Sequence, residues 1–151
     1  MMIDATKDGR NLVLTMEGVD PFVIRPLPGH AGRQITDTYL TVTSGGGVAA
    51  ELTAALQMAV DGAVLDGDRW VPRPDAEQTN FNRIGMELSQ DEAELIIMPA
   101  FFWQTVLGLD GVKTYIEGGE GLAGTLKAVR ALTARLGLLV RRTSPEASNE
   151  D

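Results

Sequence analysis

Between Ser89 and Val106 the chain carries a helix with no side suited to water. Ser89-Gln90-Asp91-Glu92 is a capping box: the serine oxygen accepts from the amide three residues on, and Glu92 reaches back to the serine amide. The segment it opens runs through Ala93, Leu95, Ile96, Ile97, Met98, Phe101, Phe102, Trp103 and Val106, apolar on nearly every face, and Pro99 predicts a kink or a restart within it. The dense run Leu95 to Trp103 is only about half of the roughly 18–20 residues that cross a bilayer, so protein has to cover it. Phe101, Phe102 and Trp103 point to different sides of one helix, and a small core does not take all three cheaply. Either this helix is the centre of a bundle, or one of its faces is an interface to another chain. Both can hold at once.

The rest of the chain supplies the elements that cover it. Residues 11–17 and 22–27 are short and β-rich, separated by the turn-forming Gly18-Val19-Asp20-Pro21, and read as a small N-terminal β-hairpin. Helices are predicted over Ala31 to Thr43, from Ile35, Tyr39, Leu40 and Val42, and over Val48 to Val60, with Leu52, Leu56 and Met58 or Ala59 inward. Residues 61–78 contain three glycine or proline interruptions and predict an irregular surface loop carrying Trp70 inward. Thr79 to Glu87 predicts a short helix, and Gly108 ends the central one. Asp110 to Ile116 adds one or two turns. Leu122 to Val140 is the cleanest helix, with Leu122, Leu126, Val129, Leu132 or Thr133, Leu136 and Val140 repeating every three or four residues. The expected fold is therefore mainly α: a bundle of about five to six helices with a small hairpin, α+β by strict count. Residues 1–10 are expected to be flexible and 11–141 to form one globular domain. Residues 142–151, with nothing apolar beyond alanine, are expected to be a disordered acidic tail.

Composition narrows the chemistry. The 151 residues suffice for one domain with its own core. They include no cysteine and one histidine, which removes thiolate nucleophiles, iron–sulfur clusters and multi-histidine metal sites. A formal charge of −8 disfavours broad contact with nucleic acid, and no segment spans a membrane. The N-terminus, MMIDATKDGR, lacks the apolar core of a secretory signal, so the protein is expected to stay in the cytoplasm.

Three patterns invite a chemical reading. Gly119-Glu120-Gly121-Leu122-Ala123-Gly124 has GxGxxG spacing at a helix start, but no buried strand precedes it and too little chain follows for a dinucleotide domain; an interhelical turn suits it better. His30 has no partner visible in the sequence and reads as a turn or cap residue. Asp61, Asp66 and Asp68 resemble the start of a calcium loop without its glycine or closing glutamate. No catalytic residue, cofactor site or metal site is expected, and the chain is not expected to be an enzyme.

Charge is unevenly placed. Residues 61–94 hold nine acids and three bases, a net of −6, whereas residues 122–142 hold five bases and no acid. The basic helix either lies across the acidic middle of the same molecule or meets it in another copy, or both are simply solvated faces. Candidate protein-contact residues are Phe101, Phe102 and Trp103, with Lys127, Arg130 and Arg135, and self-association is expected.

The layout as a whole resembles a known family. The most specific pieces are Val23-Ile24-Arg25-Pro26-Leu27-Pro28-Gly29 and Phe102-Trp103-Gln104-Thr105-Val106-Leu107-Gly108, joined in order by a capped helix, a YIEGGEG turn, a basic last helix and a polar tail. The chain resembles the tail assembly chaperones of long-tailed, siphovirus-type actinobacteriophages, over most of residues 11–140. That resemblance implies a non-enzymatic protein that binds the aggregation-prone tape measure protein in the host cytoplasm and helps recruit tail tube protein. It then leaves before the virion matures. It also implies that this is the short form of a pair whose longer member arises by ribosomal frameshifting. The alternative is a structural head–tail connector or tail protein retained in the virion. A small enzyme, suggested by His30 and the glycine-rich turn, and a DNA-binding regulator using the basic helix are weaker rivals.

Overall fold

The computed structural model describes residues 2–143, with side chains described through residue 137. Among these residues the fold is mainly helical, with six α-helices and a small N-terminal antiparallel sheet. The sheet has three strands, β1 (Ile3–Asp8), β2 (Asn11–Met16) and β3 (Val19–Ile24), in the order β1-β2-β3. This corrects the expectation of a flexible segment 1–10 before a two-stranded hairpin. β1 pairs with β2 along its whole length, from Ile3 opposite Met16 to Asp8 opposite Asn11. Gly9, at φ +62, supplies the left-handed conformation that the tight turn before Asn11 requires. β1 hid in the sequence because it fully buries only Ile3 and half-buries only the small Ala5; the rest of this edge strand faces water and shows little apolar alternation. β2 shows the alternation plainly, with Leu12, Leu14 and Met16 inward, and β3 adds Phe22 and Ile24.

The expected irregular loop 61–78 is a second correction. β4 (Ala63–Asp66) and β5 (Arg69–Pro72) form an antiparallel hairpin over Gly67-Asp68, followed by a single 3-10 turn at Asp75–Glu77. Asp-Gly between two short runs is a hairpin turn signal as well as a breaker, and pairing decides which role it takes. Trp70 packs half-buried against the core, and the Gln34 side chain grips its backbone from α1, accepting from Trp70 N–H at 2.9 Å and donating to its carbonyl at 2.8 Å.

The helices are α1 (Gly29–Thr43), α2 (Ala49–Asp61), α3 (Thr79–Glu87), α4 (Gln90–Gln104), α5 (Leu109–Glu117) and α6 (Gly121–Thr143). The Ser89 capping box is present, with Ser89 Oγ accepting from the Glu92 amide and Glu92 accepting from Ser89 N–H at 2.9 Å. α4 runs through Pro99 without a restart and stops at Gln104, four residues before Gly108. Thr105 sets that end: its hydroxyl donates to the Phe102 carbonyl at 2.6 Å and accepts from Leu107 N–H. α4 is the axis of the fold, touching α2, α3, α5, α6 and β2. Around it, Tyr39, Phe101, Phe102 and Tyr115 form a chain of tilted and edge-on rings with centroids 4.5, 5.3 and 6.2 Å apart.

Candidate functional site

Phe101 and Phe102 are wholly buried, and Trp103 packs half-buried against the same core. Of the two meanings open to the aromatic triplet, the structure takes the first: α4 is the bundle's centre, and Phe101 and Phe102 are corrected from contact surface to core. Gln104, the next residue, was not singled out by its sequence position, yet it ties three segments together. Its side-chain amide donates to the carbonyls of Arg25 and Ala59 at 2.9 and 3.0 Å, while its oxygen accepts from Leu27 N–H at 2.9 Å. The two family-like segments, 23–29 and 102–108, therefore meet through one glutamine, and their contact is architectural.

The exposed apolar surface lies elsewhere. α6 turns Thr125, Ala128 and Leu132 inward, while Leu122 is 72% exposed and Leu126 49% exposed. Of the apolar repeat Leu122, Leu126, Val129, Leu132 and Leu136, the last three meet the core, whereas Leu122 and Leu126 at its start face water. The cause is the close approach of α5. A Cβ on Gly124 would run into the Tyr115 carbonyl, so only the small-residue side of α6 fits against α5. The leucines are rotated about a quarter-turn outward at 3.6 residues per turn, with Val129 at the boundary and Arg130 one helical turn beyond Leu126. Val140, Arg141 and Arg142 of the predicted stripe and basic end have side chains outside the described residues.

Lys127, Arg130 and Arg135 are all exposed but do not form one patch, because Arg130 and Arg135, five residues apart, point to different sides of the helix. Among the described residues the ion pairs are Arg33–Asp37, Arg73–Glu77 and Arg83–Glu87, each within one segment four residues apart. None joins α6 to the acidic stretch 61–94, and α6 packs on α5 and α4.

The glycine-rich turn is an interhelical joint. Glu120, in left-handed backbone at φ +55, is buried, and its carboxylate accepts from Met2 N–H at 2.9 and 3.0 Å and from Ile3 N–H at 3.0 Å. It thus fastens the start of β1 to the start of α6, where a negative charge also suits the helix dipole. Tyr115 completes the joint by accepting from Gly121 N–H at 3.0 Å. Burial pushes its phenol up to about 12 from an ordinary 10.0, outweighing the opposite pull of that hydrogen bond. The unfolded phenol ionises first, so the Tyr115 contribution is whole below pH 10 and is lost as pH rises towards 12. We expect the urea midpoint to fall across that window, by an amount on the order of 2 kcal/mol in stability. Tyr115→Phe is expected to flatten the fall without abolishing it, since burial raises Tyr39 in the same direction. An equally steep fall in Tyr115→Phe would refute the assignment.

His30 sits exposed in the first turn of α1, beside a cleft of about 410 Å³ whose walls include Arg33, Gln104, Val106 and Leu136. No carboxylate lines it and none of its groups forms a nucleophile–base pair. Asp61 serves α3, accepting from the Asn80 and Phe81 amides at 2.8 and 2.7 Å; burial raises its carboxyl above the usual value while those bonds pull it down. Asp66 and Asp68 stand at the β4–β5 tip, and among the described residues no cluster of His, Asp or Glu is arranged to hold a metal. No described helix is long and apolar enough to cross a membrane. No family model, curated protein or solved structure matches the chain, so its function has to be read from these surfaces.

Proposed function

We propose that this protein is a non-enzymatic assembly chaperone of the phage tail type, acting in the host cytoplasm on the tape measure protein. The observation that carries this is the outward edge of α6: Leu122 and Leu126 lie exposed on the longest helix, with Arg130 beside them. Exposed leucines one helical turn apart suit the apolar stripe of an amphipathic client helix, and the flanking cation suits the acids that border such a stripe. The formal charge of −8 favours a soluble complex. The family resemblance of segments 23–29 and 102–108 supports the same class. Tail tube protein and a longer frameshifted form are further partners in this proposal, which has the short form absent from the mature virion.

Co-expression with a helical tape measure segment tests it. The unchanged chain is expected to raise the segment's soluble fraction and to co-purify with it. Leu122→Asp with Leu126→Asp is expected to abolish both while costing only about 1 kcal/mol per site, because Leu122 largely faces water and Leu126 is half exposed. A client whose solubility is indifferent to the chain, or a double variant that still binds fully, would defeat the proposal. Presence of the protein in purified particles would favour a structural tail component instead.

A further inference from the structure

The two sheets have four outer edges, and the structure protects three of them. At β3, Pro21 interrupts the edge and α3 covers it, Arg83 donating to the carbonyls of Asp20 and Pro21 and Asn80 to that of Val23. At β1, Glu120 takes the Ile3 amide, and Asp4, Lys7 and Asp8 place charges along the strand. At β5, Gln34 occupies both backbone groups of Trp70. The outer edge of β4 has no side chain capping its backbone, and its one charge, Asp66, stands at its end.

Which groups β4 presents follows from the register. Trp70 points its N–H and C=O away from β4 to Gln34, so Leu65, directly opposite, must point its own away from β5. Ala63 faces Pro72, which has no N–H to give, and falls in the same phase. Ala63 and Leu65 thus offer a donor and an acceptor each, two residues apart, and among the described residues nothing bonds to them. The side chains are equally uncovered: Leu65 is 59% exposed and Val64 36%.

We infer that the outer edge of β4 is the docking site for β4 of a second copy, joining two hairpins into one antiparallel sheet about a two-fold axis at Val64. Only this register pairs the free groups with each other. Val64 faces its own symmetry mate in the close, non-hydrogen-bonded position, and on either side Leu65 exchanges hydrogen bonds with Ala63 of the other copy. Asp66 then falls opposite Gly62. Directly opposed residues share a face, and the face of Gly62 is where Arg73 lies: its Nε would be 3.1 Å from a Cβ on Gly62. The missing side chain lets Arg73, whose Nη1 also pairs with its own Glu77 at 3.1 Å, reach across to the incoming Asp66, so each copy supplies a cation for the other's acid. The contact is short, well under the ~1,200 Å² of a stable complex, so the dimer is weak and concentration-dependent.

Sedimentation velocity of the full chain from about 10 μM to about 1 mM, the range in which a contact of this size is half-formed, tests the inference. A monomer–dimer equilibrium is expected, with hydrogen exchange at the Ala63 and Leu65 amides slowing as the dimer fills. Leu65→Pro removes an outward N–H that the β4–β5 pairing does not use, and is expected to leave the chain monomeric throughout. Asp66→Arg is expected to weaken the dimer about tenfold or more, and adding Arg73→Asp to restore it. Arg130→Glu with Arg135→Glu is expected to change nothing. If circular dichroism shows Leu65→Pro misfolded, the Asp66 and Arg73 exchange decides alone. An unchanged chain that stays monomeric at about 1 mM, a dimer indifferent to Asp66→Arg, or one lost only on reversing Arg130 and Arg135 overturns the inference.

Discussion

Phe102→Ala is expected to destabilise the protein by about 3–5 kcal/mol, enough to lower the melting temperature by roughly 10 °C in a domain of this size. Phe102 has no exposed surface, and its ring stands between Phe101 and Tyr115 at the crossing of α4 with α5. Nothing nearby can collapse into the void without moving one of those rings or lifting α5, so both the lost transfer energy and the cavity register fully. If the aromatic triplet were a partner surface, the same truncation would change stability by less than about 0.5 kcal/mol and would abolish binding instead. Urea denaturation of Phe102→Ala, read beside client binding at a temperature where the variant is folded, separates the two roles. Full stability in the variant would show that α4 is not the core of the bundle.

The second large effect is expected at Glu120. Glu120→Ala leaves the buried amide of Ile3 and the part-buried amide of Met2 without an acceptor and removes charge-assisted hydrogen bonds, for a loss of about 2–4 kcal/mol. The substitution leaves the left-handed backbone at residue 120 as strained as before, so the loss belongs to the carboxylate. Glu120→Gln retains one accepting oxygen and is expected to recover part of it. Glu120→Gly relieves the positive φ but makes no bond, and is expected to stay well below the unchanged chain. Amide hydrogen exchange provides the local readout: in Glu120→Ala, protection is expected to fall first along β1, whose start this side chain holds to α6. Unchanged protection of β1 would mean that its pairing with β2 suffices.

Helix identity was legible wherever local signals agreed. The capping box at Ser89, the alanine-rich run before Val60, and Phe81, Ile84 and Leu88 at helical spacing each place a helix within a residue or two of the one observed. The strands were legible only where one face is buried along its length and the other is not, so that side chains alternate. β2 shows itself; β1 and β4 do not, because an edge strand that buries one side chain or none has little apolar pattern to display. Of the candidate contact residues, Arg130 lies beside the exposed Leu122 and Leu126, while Phe101 and Phe102 lie in the core, on a helix whose faces the sequence left open as a possible interface. Gln104 carried no signal, and Glu120 showed only an acid placed before a helix start, since a single polar residue becomes a clamp only when a distant backbone arrives at it.

The amino acids by themselves determined that α4 would be covered by protein, because a helix apolar on nearly every side has to be surrounded; that its own bundle covers it was decided by the tertiary structure. They also determined that the absence of thiols and of a second histidine narrows the chemistry, and that α6 would form. Which side of α6 faces inward was decided by tertiary structure alone. In its first turns α6 offers Leu122 and Leu126 on one side and Gly124, Thr125 and Ala128 on the other, and the close approach of α5 selects the small side there, while Leu132 further along stays buried. Periodicity reports where apolar residues lie on a cylinder; close packing against a particular neighbour decides which of them meets water.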